Sequence, residues 1–182
     1  MESMRSDPAT SPEKIVREFI ATVNSHDVEA VGAMVAEDAS VAFAGFTPFE
    51  GRDRIGDYFA FFAGFHARWD YTSTESRDNV VSGTMAAHDE WSEAAGISPL
   101  VYAKFELTVR DGLIARIDTE FTKESNQALS ELLERFTPWA AAKHPELYDE
   151  EGDYIYDEST GSGMVAAIRD WVASDSMEDA DG

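Results

Sequence analysis

The sequence predicts an α+β fold: two N-terminal helices, a short strand, an aromatic helix, a mostly antiparallel sheet and an extra C-terminal helical extension. Three observations lead there. Ile15, Val16, Phe19, Ile20 and Val23 recur at helical spacing. Val101, Ala103, Phe105, Leu107 and Val109 alternate with Tyr102, Lys104, Glu106, Thr108 and Arg110, the period of a strand with one buried face. Asp111-Gly112 stands between two strand-like runs, where glycine accepts the positive φ of a tight hairpin turn.

Each element has its own signal. Thr10 with Glu13 three residues on has capping-box spacing, and Pro12 suits a first turn, so the first helix runs to about Asn24. Asp27 caps a second, short helix carrying Val28, Val31, Met34 and Val35 on its buried side. Ser40 to Phe46 is β-prone and is closed by Pro48 and Gly51. From about Arg52 a third helix places Ile55, Phe59 and Phe62 on one stripe, with Tyr58 and Phe65 alongside. Strands are then expected over about His66 to Asn79, Val80 to Ala94, Pro99 to Arg110 and Leu113 to Thr122. A fourth helix from about Lys123 carries Ala128, Leu129, Leu132, Leu133 and Phe136 and should stop near Pro138. The run Gly161 to Gly163, beside Asp157 and Glu158, would repel an anion and reads as a turn. Met164, Val165, Ile168, Trp171 and Val172 trace a last helix that frays from about Ser174. The organisation expected is a disordered N-terminus (1–10), one folded domain (11–144), an acidic loop and packed helix (145–173) and a disordered acidic tail (174–182).

Composition narrows the function. The 182 residues are 43% apolar and include eleven Phe, six Tyr and four Trp, enough for one sizeable core. No apolar run reaches membrane-spanning length and the start is polar, so a soluble cytoplasmic protein without membrane contact is expected. With no cysteine there is no disulfide, thiolate metal site or Cys nucleophile. The net charge of −22 repels nucleic acid. Only four Lys against 36 acidic residues suggests a halophile's solvated surface, stabilised by counterions, beside the plainer alternative of an acidic tail on an ordinary protein.

The stretches IATVNSHDVEAVGAMVAEDASV (Ile20 to Val41), FEGRDRIGDYF from Phe49 and VRDGLIARIDTEFT from Val109 resemble the SnoaL-like superfamily, related to nuclear transport factor 2. The resemblance spans roughly Ser11 to Glu134. It implies a curved sheet wrapped around the N-terminal helices in a cystatin-like cone, an apolar small-molecule pocket open at one end, no cofactor, and a homodimer through the outer sheet face. Members include ketosteroid isomerases, limonene epoxide hydrolases and polyketide cyclases. The isomerase base falls at Phe43 here and the isomerase tyrosine near Phe19, so those two polar roles are missing. The inward carboxylate of the hydrolases and cyclases falls near Thr119, flanked by inward Ile117 and Phe121. Asp118 points outward by parity and becomes available only if the strand slips by one residue.

Among residues able to do chemistry, Asp89 stands out. If Val81, Gly83 and Met85 face inward, Ala87, Asp89 and Trp91 do too, and an Asp beside an indole in an apolar interior suits general acid or base work. The alternative is that Asp89 pairs with an Arg such as Arg68 or Arg116. The four histidines, His26, His66, His88 and His144, lack metal-ligand spacing, so no metal is expected; His66 is placed where it can touch a ligand. The pocket lining expected is Phe19, Tyr58, Phe62, Trp69, Tyr71, Trp91, Phe105, Ile117, Thr119 and Phe121. Two functions stay open: a cofactor-independent isomerase, cyclase or hydrolase with Asp89 or Asp118 as its carboxylate, and a non-catalytic binding or scaffold protein of the same fold.

Overall fold

The structure, a computed structural model, describes residues 11–43 and 48–178, with side chains described through residue 174. The expected disordered N-terminus, the expected first cap Thr10 and residues 179–182 lie outside the described residues. Helix α1 (Pro12–Asn24) is capped by Ser11, whose side chain accepts the Lys14 N–H, and it buries Val16, Phe19, Ile20 and Val23 as the stripe requires. Helix α2 (Val28–Ala33) is capped by Asp27, which accepts the Ala30 N–H. It ends a turn early: Val35 opens strand β1 (Val35–Phe43) instead of closing the helix. Strand β2 (Phe49–Glu50) and helix α3 (Arg52–Gly64) follow.

Strands β3 (Arg68–Arg77), β4 (Val80–His88), β5 (Leu100–Arg110) and β6 (Leu113–Phe121) complete a curved six-stranded sheet in the order β2-β1-β6-β5-β4-β3. Only β1 and β6 run parallel. Asp111 and Gly112 adopt φ values of 53° and 79°, the mirror-image turn that suits a right-twisted hairpin. Helices α1 to α3 lie against the buried face of this sheet, around Val81, Met85, Phe105, Leu107 and Ile117.

Two strand expectations fail for identifiable reasons. The strand expected to reach Ala94 ends at His88, because Glu90–Ala94 forms helix α4 with Asp89 as its cap and Gly96 (φ 74°) after its end. In β5, Tyr102 pairs with Phe121 while Lys104 pairs with Glu120, so Ala103 is an extra residue. That bulge reverses the strand's parity. Leu100 is buried and Tyr102 half-buried against the core, whereas Val101 and Ala103, expected inward, are exposed.

The C-terminal third builds a second core. Helix α5 (Lys123–Lys143) continues through Pro138, where a stop was expected; Phe136 and Ala140, both fully buried, anchor it on either side of the proline. A 3-10 turn at Pro145–Leu147 leads to helix α6 (Glu158–Glu178). This helix starts before the expected stripe and passes Ser174, where fraying was expected. Gly161 to Gly163 therefore lie within a helix, not a turn. Helices α3 and α6 meet backbone to backbone there: a Cβ on Gly64 would lie 2.3 Å from the Glu158 carbonyl oxygen. Phe61 and Phe65 on the outer side of α3 join Trp91, Leu132, Phe136, Met164, Ile168 and Trp171. Helix α3 is thus buried on both sides, which explains its all-round aromatic character.

Candidate functional site

The interior of the cone is built from aromatic rings on α3, β3, β5 and β6. Tyr58 lies 4.9 Å from Phe43 and 4.6 Å from Phe62 between ring centroids. Phe59 meets Phe19 edge-on, and Phe105 is met edge-on by Trp69 and by Tyr102. Tyr71 packs on Phe105 and over Gly83, where a Cβ would lie 2.4 Å from its ring. Tyr102 also lies 4.4 Å from Phe121. Eight of the ten expected lining residues sit in or against this core and Thr119 is buried, but Trp91 lies elsewhere. Carried on α4, Trp91 stacks on Phe65 and meets Phe136 in the second core. Tyr102 was assigned to the outer face by strict alternation and is the interior residue that sequence reasoning missed.

Asp89 follows β4 and caps α4 where the two cores join: Ala87 before it belongs to the first, Trp91 after it to the second. It is 5% exposed. Its Oδ1 accepts the Ser92 N–H at 2.7 Å, and its carbonyl accepts the Ser92 hydroxyl. The sequence Asp-Glu-Trp-Ser-Glu-Ala-Ala-Gly is itself a capped helix signal, and it accounts for this local fold. No cation pairs with Asp89 among the described residues: Arg68 binds Asp70 and Arg116 binds Asp118. Burial pushes its pKa up, against the pull of the Ser92 and Trp91 hydrogen bonds. Burial also raises the phenols of Tyr58 and Tyr102, and the Asp89 charge adds to both shifts. Tyr58 and Tyr102 belong to the first core, which Ala87, two residues before Asp89, also joins.

Asp118 stands on the outer face, as alternation requires, with no slip in β6 at that point. Its two oxygens accept from the Arg116 guanidinium, one at 2.8 Å, and that pairing holds its pKa below the ordinary value. Thr119 is buried, and its hydroxyl donates to the Ala42 carbonyl at 3.2 Å. A hydroxyl tied to backbone thus occupies the position where the resemblance places an inward carboxylate. His66 is exposed and bonds Glu90, which also accepts from Arg169. His26 bonds the Ala67 carbonyl, His88 lies 3.2 Å from Asp70, and His144 bonds Glu146. Three exposed carboxylates, Asp149, Glu151 and Asp153, converge in the loop before α6.

A cavity of about 10 Å³ lies between Val23, Val31, Phe59, Phe62 and Trp69, room for roughly one water. The region that the resemblance assigns to a ligand is filled here by aromatic side chains, of which Phe62, Tyr102 and Phe121 are only half-buried.

The SnoaL-like domain model matches residues 16–117, more than half of the chain. The chain belongs to the SnoaL-like domain family. Solved structures agree on the fold. SalBIII, described as an epoxide hydrolase/cyclase-like enzyme in pyran ring formation in the polyether salinomycin, is 19% identical with a TM-score of 0.56, covering 65% of this chain and 95% of its own. An NTF2-like protein of unknown function from Cytophaga hutchinsonii is 13% identical, TM-score 0.52, over 65% and 95%. A ketosteroid-isomerase-like protein from Kribbella flavida is 18% identical, TM-score 0.52, over 62% and 78%. Comparison with curated proteins finds no significant match. The family match ends within β6, so α5 and α6 lie beyond it.

Proposed function

We propose that this SnoaL-like chain binds an apolar small molecule inside the cone, beside Asp89, Tyr58 and Tyr102, and acts on it by cofactor-independent proton transfer as an isomerase, cyclase or hydrolase. The observation that carries the reading is the buried Asp89 carboxyl without a cation partner among the described residues, with a pKa raised by desolvation. Such a group exchanges protons closer to neutrality than a solvated Asp, as a general acid or base must. Tyr58 and Tyr102, kept protonated, supply hydrogen-bond donors for a substrate oxygen. Entry requires aromatic side chains around Tyr58 to move, since rings fill this part of the interior.

The filled interior favours a second reading, a non-catalytic binding or scaffold protein of the same fold. In either case the charged outer face, with Lys104 beside Glu106 and Arg116 beside Asp118, offers complementary pairs to a second copy in a homodimer. Incubation with a panel of apolar epoxides, lactones and conjugated ketones, followed by mass spectrometry, tests the enzyme reading. Turnover that Asp89→Asn abolishes while binding persists supports it. Binding without turnover in the parent protein moves the assignment to the second reading.

A further inference from the structure

The segment between the 3-10 turn and α6 is a closed, internally bonded strap. Tyr148 and Tyr154 form an isolated antiparallel bridge with ring centroids 5.1 Å apart. The Ile155 N–H donates to the Leu147 carbonyl, and one Asp149 oxygen accepts the N–H groups of Glu151 and Asp153. Gly152, at φ 86°, reverses the chain between them. The strap has two unlike sides. Asp149, Glu150, Glu151 and Asp153 are exposed, while Tyr154, Ile155 and Tyr156 are half-buried against the protein.

Tyr156 is the residue with the most telling position. Its ring stands edge-on to Phe49 at 5.0 Å and to Phe61 at 5.1 Å, and it packs against both cores. Phe49 lies 4.9 Å from Tyr58. Tyr58 in turn meets Phe43, Phe59 and Phe62. A continuous line of rings thus runs from the strap to the interior. The strap is held by the packing of its three tyrosines and by one hydroxyl bond between Tyr154 and Thr137 at 3.3 Å. Its four exposed carboxylates are part of the chain's net charge of −22 and favour release when charges are unscreened.

We propose that the strap Tyr148–Tyr156 is a gate over the cone, and that Tyr156 must leave Phe49 before an apolar molecule can reach Tyr58 and Asp89. This rests on the reading of the interior as a binding site. It makes the C-terminal addition, which lies beyond the family match, the element that controls access.

Nile red, a neutral apolar dye, is the probe, and stopped-flow fluorescence measures its entry. Tyr156→Ala, with its fold checked by circular dichroism, should admit the dye several-fold faster than the parent, and Tyr156→Phe should behave as the parent because closure depends on the ring. Equal entry in parent and Tyr156→Ala would overturn the gate while leaving the interior site standing. Absence of dye binding in every variant, including the folded Tyr156→Ala protein, would overturn both.

Discussion

Gly161 meets the carbonyl of Phe61 so closely that a Cβ at Gly161 would lie 2.0 Å from that oxygen. Helices α3 and α6 touch there through backbone, and no side chain can move aside to relieve a substitution. Gly161→Ala should therefore cost at least the upper end of the range typical of overpacking, about 3 kcal/mol. Thermal unfolding of the variant should show a midpoint several degrees below the parent. An unchanged midpoint would mean that the two helices are not in contact.

Phe136 is fully buried among Trp91, Trp139 and Trp171. Phe136→Ala removes the centre of the second core and should destabilise by about 3–5 kcal/mol. Monitored by the fluorescence of Trp171 and Trp139, unfolding of this layer should shift to markedly lower denaturant.

The Arg116–Asp118 pair lies on the outer face and is partly exposed, so it should contribute only about 0.2–1 kcal/mol. Arg116 lowers the pKa of Asp118 in the folded state. Its contribution is therefore present above the unfolded value of about 3.9 and lost as pH falls through the lower folded value. Asp118→Asn should reduce stability slightly at neutral pH, with the difference from the parent vanishing in strong acid. Chemical denaturation at several pH values checks this.

The fold was legible where sequence pattern and local geometry agree. The stripe of Val16, Phe19, Ile20 and Val23, the Asp27 cap and the Asp111-Gly112 turn all appear where the residues require. The site was legible only in part. Asp89 is buried, yet it caps a helix, Glu90 to Ala94, instead of continuing the strand, so Trp91 joins the second core. Tyr102 was hidden by the bulge at Ala103, because one extra residue turns every preceding side chain over and no residue type announces it. The continuation of α5 through Pro138 also escaped, since buried Ala140 outweighs a breaker that only tertiary packing can overrule.

Charge supplies a prediction about solvent. A surface at −22 repels itself, and the Debye length falls to roughly 3 Å at 1 M salt. The melting temperature should climb as KCl rises to the molar range, well beyond the gain given by sucrose at matched osmolality. A flat response would remove the salt-adapted reading.

The pH dependence of stability isolates Asp89. Its folded pKa is raised by burial, so its ionisation favours unfolding: the contribution to stability is fully present below the unfolded value of about 3.9 and is lost as pH rises through the folded value. Asparagine keeps the Ser92 cap without the charge. Asp89→Asn should thus fold, gain stability relative to the parent at neutral pH, and lose that advantage in acid.

The central claim, a desolvated Asp89 without a cation partner among the described residues, is tested most directly by titrating its carboxyl carbon by NMR, with Asp89→Asn assigning the resonance. The account predicts a midpoint clearly above the ordinary aspartate value of about 3.9. A midpoint at or below that value would mean that Asp89 is solvated or held by a cation, and proton transfer at this position would have to be abandoned.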